Sequence, residues 1–224
     1  MGVHMNEFEV TRRNRVRLMP ERGHYDRDVV HAIIDEALLC HVGFVDDGQP
    51  VVIPTLHARS GDVLYLHGSR GNTMLKHLQA GNPVGVTITH IDGIVFARSA
   101  FHHSVNYRSV MLFGRGRLIE DAGEKMAALE LLTEHVARGR WNDTRVPTEK
   151  ELKLTSVIEF RIESASAKIR TGPPKDDEED YALPHWAGVL PFRQQVLPPI
   201  ADPKLPPDIA VPDYVRHYTR PGPK

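Results

Sequence analysis

The residues best suited to chemistry lie in a polar turn near residue 70. A strand-like apolar run reaches Gly68, and Ser69 and Arg70 follow just before a helical pattern that contains Lys76. The N-terminus of a helix offers unpaired N–H groups and the positive end of a dipole, both of which favour an anion. A hydroxyl, a guanidinium and an ammonium at the same place strengthen that preference. The segment predicts a phosphate-binding cradle, with an ordinary solvated turn as the alternative.

A second polar cluster lies at the start of an apolar run over residues 102–117. Four consecutive residues there supply donors and acceptors: Asn106, Tyr107, Arg108 and Ser109. A guanidinium beside a hydroxyl is a second arrangement that suits an anion. Arg115 and Arg117, further along the same run, fit an edge strand with solvated side chains. The pattern therefore favours binding at the start of this strand.

Periodicity predicts the elements that position these clusters. Helical spacing of apolar residues covers 28–39, 73–80 and 123–136, and a capping-box pattern at Thr148 starts a brief further helix. Strand patterns cover 41–45, 51–55, 63–67, 84–90, 94–98, 110–119, 157–162 and 167–171. Asp47-Gly48, Ser60-Gly61 and Asp92-Gly93 are typical of hairpin turns. Hairpins between neighbouring strands favour an antiparallel sheet or barrel over βαβ units.

Composition narrows the class of protein. The chain has 224 residues, 41% of them hydrophobic, and a net charge of −1, so no basic patch argues for nucleic acid. No apolar run approaches the roughly 18 residues of a membrane span. The N-terminal stretch lacks the apolar core of a signal peptide, and the single Cys40 excludes an internal disulfide. We therefore expect a cytoplasmic protein with a buried, inert thiol and no membrane or nucleic-acid partner.

Three segments differ in character: an N-terminal extension over 1–20, a main domain over 21–172 and a proline-rich arm over 173–224. The arm holds 12 of the 17 prolines and an acidic run from Asp176 to Asp180. Proline removes backbone donors and fixes φ, so regular elements are disfavoured there. The arm is either a disordered tail or an extended segment docked by its apolar residues: Trp186, Leu190, Phe192 and Tyr214. The anchors favour docking.

The order of these motifs resembles that of the pyridoxamine 5′-phosphate oxidase-like flavin-binding proteins, in particular the flavin-nucleotide-binding branch that includes the nitroimidazole-resistance proteins. The matching pieces, spread over roughly residues 20–172, are residues 52–55, 64–69, 76, 81–83 and 106–110. The resemblance implies an antiparallel six-stranded split β-barrel, mainly β with flanking helices. It also implies a homodimer that binds flavin mononucleotide (FMN) in a groove at the dimer interface.

By the same resemblance, the flavin phosphate contacts Ser69, Arg70 and Lys76. Further cofactor contacts are implied at Ile53, Pro54, Thr55 and His67, and at Asn106, Tyr107, Arg108 and Ser109. Trp186 either caps the flavin pocket of the partner subunit or anchors the arm. The basic C-terminal strand that grips pyridoxal phosphate in the oxidase itself is not found, so oxidation of vitamin B6 is not expected.

The resemblance implies an oxidoreductase that passes electrons through flavin to a small molecule, with NAD(P)H as a plausible electron donor. A non-catalytic flavin carrier or sensor is the first alternative, and a heme-binding split barrel is the second. Thirteen histidines keep the heme alternative open. Adjacent strand residues point to opposite faces, so His102 and His103 are not expected to share a metal ion. No metal site and no catalytic residue are assigned.

Overall fold

A computed structural model of the chain describes residues 6–220. Its helices are α1 (Arg27–Glu36), α2 (Thr73–Gln79), α3 (Ala122–Val136), α4 (Glu149–Leu154) and α5 (Asp213–Arg216). Its strands are β1 (Gly23–His24), β2 (Leu39–Asp46), β3 (Gln49–Leu56), β4 (Ala58–Ser60), β5 (Val63–Ser69), β6 (Pro83–Phe96), β7 (Ser104–Leu118), β8 (Thr155–Arg170) and β9 (Gly188–Pro191). Across residues 6–220, every helix is too short or too polar to cross a membrane.

The strands form one antiparallel sheet in the order β3-β2-β6-β7-β8-β5-β4, with β1 paired to β8 and β9 paired to β6. Six strands have seven or more residues, namely β2, β3, β5, β6, β7 and β8. In the described part of the chain the order ends at β3 and β4 without closure. The predicted six-stranded split barrel, mainly β with flanking helices, is confirmed.

Turn chemistry at the first hairpin follows the prediction. Asp47 and Gly48 connect β2 to β3 with φ values of 47° and 74°. Both residues therefore lie in the left-handed region that a two-residue hairpin turn requires. The register pairs Val42 with Ile53 and Cys40 with Thr55, so this turn determines which β3 side chains lie opposite the buried residues of β2.

Two predicted strand breaks are wrong. Residues 84–98 were expected to form a hairpin at Asp92-Gly93, but β6 runs unbroken through that point. Gly93 has another role, because a Cβ there would lie 2.7 Å from the carbonyl oxygen of Leu190 in β9. The two predicted strands at 157–162 and 167–171 are likewise one strand, β8. Long-range pairing, which local turn propensity does not report, keeps both strands extended.

Helix ends follow their local signals. Asn72 caps α2 by accepting from the N–H of Leu75 at 3.1 Å, and Gly81 follows the helix with φ 72°. The predicted capping box of α4 is present, with Thr148 and Glu151 bonded reciprocally. The α1 helix ends at Glu36, earlier than the predicted residue 39, because Leu39 already begins β2.

The described residues group into two compact units, each built from separate stretches of the chain. The first contains residues 6–34, 87–112 and 164–194. Its core includes Val30, Ile88, Val95, Val110, Leu112 and Ala167. Residues 6–20 of the N-terminal extension belong to this unit: the buried Asn14 donates to the carbonyl oxygens of Glu9 and Ala165, each at 2.9 Å.

The second unit contains residues 35–86, 113–163 and 195–220. Its core includes Val42, Leu64, Leu66, Leu75, Leu78, Ile158 and Phe160. The predicted alternation of Ile158, Phe160 and Ile162 toward one face is confirmed, because all three are buried. The α3 helix covers Val157 with Ala128 and Leu129. This unit carries the polar turn that the sequence marks as a phosphate cradle.

Candidate functional site

The β5–α2 turn of the second unit is built by a strand end, a glycine and a helix cap. Ser69 ends β5 opposite Thr155 of β8, and its carbonyl oxygen accepts from the N–H of Asn72 at 3.0 Å. Gly68 allows α2 to pack closely, because a Cβ there would lie 3.1 Å from Leu75. The turn therefore presents Ser69 at the surface, next to the first turn of α2.

The two cations of this turn are held differently. The backbone N–H of Arg70 donates to the carbonyl oxygen of Leu154 at 3.2 Å. The guanidinium of Arg70 donates to the carbonyl oxygen of Lys153 at 3.4 Å, at the end of α4. Lys76 is exposed on α2 and has no ion-pair or side-chain hydrogen-bond partner in residues 6–220. The Lys76 ammonium is therefore the cation of this turn that is available to an added anion, whereas Arg70 is already hydrogen-bonded to the end of α4.

His67 lies two residues before Ser69, on the opposite face of β5 from the buried Leu66. Its Nδ1 atom is buried without a hydrogen-bond partner in the described chain. It lines a hollow of about 490 Å³ with Leu129, Thr144, Arg145, Pro147, Glu151 and Thr155. Burial lowers the pKa of His67, which favours the neutral ring, and Nδ1 of that ring is unpaired within residues 6–220.

The charges at the rim of this hollow neutralise each other. Arg145 donates to both carboxylate oxygens of Glu151, at 2.6 and 2.8 Å. Hydrogen bonds from Arg145 and Thr148 lower the pKa of Glu151 to about 2. The His67 hollow therefore has a neutral imidazole inside and a closed ion pair at its edge.

Ile53, Pro54 and Thr55 lie on β3, at one end of the sheet order. Pro54 is exposed and lacks an N–H to offer, as is usual for an edge strand. The Thr55 hydroxyl lies 3.4 Å from the carbonyl oxygen of Leu56. A broad groove on the β2–β3 hairpin instead uses Phe44, Val51, Val52, His77 and Pro83, so the three predicted residues do not line it.

The polar cluster of β7 belongs to the first unit, and most of its groups have partners in the protein. Arg108 binds both carboxylate oxygens of Asp92, at 2.9 and 2.8 Å. The buried Asn106 donates to Gly172 at 3.2 Å and accepts from Arg170. These two residues are thus arranged to hold β6, β7 and the end of β8 together.

Ser109 and Tyr107 complete that cluster. The Ser109 hydroxyl donates to the carbonyl oxygen of Lys168 at 3.3 Å. Tyr107 is half-buried. The sequence pattern predicts Asp92, the partner of Arg108, only as a turn residue. Its pairing with Arg108 on the neighbouring strand can be recognised only from the continuous course of β6.

His102 and His103 do not lie on a strand, so the expectation that they point to opposite faces of one is wrong. His102 ends a 3₁₀ turn, and His103 follows it just before β7. His102 Nε2 lies 3.2 Å from Asp177, while His103 Nδ1 lies 2.9 Å from the carbonyl oxygen of Ser99. The ligand-type atoms of His102, Asp177 and Asp180 lie within 4.8 Å of one another. The two histidines therefore have different surroundings, and neither alternates on a strand.

The first half of the arm, to residue 194, docks within the first unit. Asp176 has no exposed side-chain surface and accepts from the N–H groups of Arg98 and Ser99, at 2.9 and 3.3 Å. The Trp186 and Phe96 rings lie 5.9 Å apart, although Trp186 is 71% exposed. Strand β9 then pairs with residues 93–96 of β6. The docked alternative is confirmed for this half of the arm, and Trp186 has an anchor contact.

The remaining half docks within the second unit. Tyr214 donates to Asp143 at 2.6 Å and accepts from Arg140 at 2.9 Å. The Tyr218 hydroxyl donates to the carbonyl oxygen of Val136 at 2.8 Å, at the end of α3. Tyr214 was expected as an anchor, whereas Tyr218 was not singled out, since a lone tyrosine among prolines gives no periodic signal.

An open antiparallel sheet of this strand order, with helices packed on it and a polar turn after β5, defines a split-barrel protein. The chain belongs to the pyridoxamine 5′-phosphate oxidase family, whose model matches residues 26–169. No curated protein matches the sequence.

Solved structures resemble this chain over most of its length. A flavocytochrome from Azotobacter vinelandii is 42% identical, with 92% of this chain and 95% of that chain covered and a TM-score of 0.87. An FAD- and heme-binding protein from Mycobacterium smegmatis is 35% identical, with 90% and 98% covered and a TM-score of 0.84. A candidate 5-nitroimidazole antibiotic resistance protein from Bacteroides thetaiotaomicron is 26% identical, with 66% and 86% covered and a TM-score of 0.56.

Proposed function

We propose that this protein binds a flavin nucleotide and acts as an oxidoreductase. The observation that carries the proposal is the β5–α2 turn, where Ser69 is at the surface and Lys76 of α2 is an exposed cation with no partner in residues 6–220. Family membership and the two similar structures named for a flavocytochrome and for FAD support flavin as the ligand. FMN was expected, and both FMN and FAD carry the ribityl phosphate that this turn would hold.

When bound, flavin supplies the redox chemistry, and the protein supplies binding and orientation. The Ser69 hydroxyl and the Lys76 ammonium would bind the phosphate through charge-assisted hydrogen bonds. Arg70, already held against Lys153, would contribute to the local positive potential. We further propose a homodimer and a nicotinamide nucleotide as electron donor; the assignment of Ile53 to Thr55 and of Asn106 to Ser109 to the cofactor stays a prediction.

The first experiment is a visible spectrum of the purified protein, before and after it is loaded with flavin and desalted. Retained flavin bands are expected, and chromatography of the released cofactor distinguishes FMN from FAD. Anaerobic mixing with NADH and NADPH then tests the oxidoreductase, because bleaching of the bound flavin is the expected result. Tight flavin binding without bleaching or turnover would favour a carrier or sensor, and a protein that retains no flavin would contradict the proposal.

The phosphate role has its own test. The double substitution Ser69→Ala and Lys76→Ala should weaken FMN binding by at least about tenfold, since charge-assisted contacts are lost. Riboflavin, which lacks the phosphate, should lose little affinity. Arg193→Gln, an exposed cation elsewhere, is the matched control. Equal losses for FMN and riboflavin would remove the phosphate role from these residues.

A second candidate function, heme binding, is favoured by His67. Its buried Nδ1 has no hydrogen-bond partner in the described residues, and its lowered pKa keeps the imidazole neutral, as an axial ligand must be. Two of the similar structures are named for a flavocytochrome and for FAD and heme. When bound, heme would add one-electron chemistry, and His67 would supply a nitrogen ligand.

This candidate is tested by titrating the protein with hemin and following the Soret band. His67→Ala should abolish the band or shift it toward that of free hemin, whereas His41→Ala, an exposed histidine of β2, should leave it unchanged. A Soret band that is the same in both variants would exclude His67 as the ligand. Flavin retention, measured on the same samples, keeps this result separate from the flavin proposal.

A further inference from the structure

A second cavity of the second unit shares no residue with the β5–α2 turn. We call it the α3–arm cavity: it has a volume of about 430 Å³ and lies at the end of α3, beside Ala58 and Arg59 of β4. The end of the arm forms its remaining wall with Tyr218, Thr219 and Arg220. Tyr218 is fastened there by its hydrogen bond to Val136, so the wall is part of the fold.

Most charged groups of this cavity already have partners. Arg59 binds both carboxylate oxygens of Asp35, at 2.8 and 2.5 Å. The two carboxylate oxygens of Glu134 accept from the N–H groups of Gly139 and Trp141, at 2.7 and 2.8 Å. His135 Nε2 lies 2.7 Å from the carbonyl oxygen of Ala37. The acidic groups of the lining are thus held by donors within the protein.

Two guanidinium groups of the lining have no acceptor among residues 6–220. Arg220 Nε is buried and has no hydrogen-bond partner in residues 6–220. Arg138 also lines the cavity, and none of the described residues accepts from its side chain. A buried donor without an acceptor is unfavourable, so an acceptor brought by a ligand would stabilise this arrangement.

Size and lining define the ligand class. Guanidinium groups match the oxygens of a phosphate group, and two of them line this cavity. The side chains of Leu131 and Val136 and the Tyr218 ring add apolar surface beside them. We propose that the α3–arm cavity binds a small phosphorylated metabolite, with its phosphate on Arg138 and Arg220 and its organic part on the apolar wall. The proposal does not depend on the flavin site.

Ribose 5-phosphate is the probe, with ribose as the control that lacks phosphate, and binding to the full-length protein is measured by calorimetry. Binding of ribose 5-phosphate and not ribose is expected. The double variant Arg138→Gln and Arg220→Gln should lose at least about tenfold in affinity. Arg193→Gln should bind as the unchanged protein does, and Arg220→Lys should retain more affinity than Arg220→Gln.

Three results would overturn the proposal. The first is no binding of ribose 5-phosphate at millimolar concentration, and the second is equal affinity in the double variant. The third is a loss of binding on Lys76→Ala, or a loss of flavin that parallels the loss of ribose 5-phosphate, since either would assign the phosphate to the flavin site. Thermal unfolding of each variant shows whether a loss reflects unfolding, and Arg220→Lys, which keeps the charge, provides the readout if the double variant does not fold.

Discussion

Lys76, Arg70 and Arg108 carry the same charge but differ in what already neutralises it. Arg108 donates to both carboxylate oxygens of Asp92, and Arg70 lies against the carbonyl end of α4. Lys76 has no such partner in the described chain. An added phosphate must compete with the existing partner of a cation, so Lys76 has the least to lose. At this scale the candidate site depends on the partners of each residue more than on its type.

Asp176 is the residue on which docking of the arm can be tested. Desolvation opposes its ionisation, but hydrogen bonds from Ser99 and Arg98 outweigh that effect and lower its pKa. Its contribution is therefore present above the usual pKa of an aspartate, about 3.9, and is lost as pH falls through the lower folded-state pKa. Asp176→Asn should speed hydrogen exchange of residues 186–192 at neutral pH.

The neighbouring Asp177 is the matched control for that substitution. Its side chain is 70% exposed, and its carboxylate forms an ion pair with His102. Asp177→Asn should therefore change exchange in the arm much less. Equal protection of the arm in the protein and in Asp176→Asn would show that Trp186 and β9 hold it without this carboxylate.

Cys40 should be inert in the folded protein. It is fully buried on β2, and burial raises the pKa of its thiol to about 12. The thiolate, which is the reactive form, is therefore scarce near neutral pH. A chromogenic disulfide reagent should label Cys40 only after the protein is unfolded by guanidinium. Rapid labelling of the folded protein would mean that β2 opens locally.

Among the elements, the close approach of the neighbouring strands β7 and β8 limits which side chains are tolerated. A Cβ on Gly114 of β7 would lie 1.9 Å from the backbone oxygen of Arg161 in β8. Backbone cannot rotate away as a side-chain end can, so β7 and β8 would have to separate. The close approach of these two strands therefore requires glycine at this position.

Gly114→Ala should lower the free energy of unfolding by about 3 kcal/mol or more, since overpacking forces backbone shifts. Gly71→Ala is the control, because Gly71 is exposed with open space around its Cβ position. That substitution should change the unfolding free energy by less than about 0.5 kcal/mol. Urea denaturation measures the unfolding free energy of both variants. Similar values would contradict the close approach of β7 and β8 at Gly114.

At the scale of the whole molecule, the arm contributes to both compact units. Residues 173–194 belong to the first unit, and residues 195–220 belong to the second. Three strands, β6, β7 and β8, also contribute residues to both. Loss of the arm should therefore lower the stability of each unit.

Truncation after Thr171 should lower the melting temperature and uncover Phe96 together with the end of α3 near Val136. If the arm also supports the proposed homodimer, the truncated protein should sediment as a smaller species. Analytical ultracentrifugation with thermal unfolding tests both effects. An unchanged sedimentation coefficient and melting temperature would show that the arm is dispensable for assembly and stability.

Elements whose signals are local can be predicted from the order of residues alone. Hairpin residues with positive φ, the Asn72 and Thr148 caps and the apolar periodicity of α1 each act within a few residues of the chain. Motif order was enough for the split barrel and the family. The turns, caps and periodicity depend on residues close together in the chain, and the motif order is a property of the chain itself.

Which polar residues are available to a ligand depends on contacts between segments that are distant in the chain. Asp92 pairs with Arg108 because β6 is continuous, and Gly93 is buried because β9 lies across it. His67 has an orphaned nitrogen, and the α3–arm cavity exists, because segments distant in sequence enclose them. Burial and partner choice depend on what the rest of the chain brings near, and no local pattern in the sequence records that.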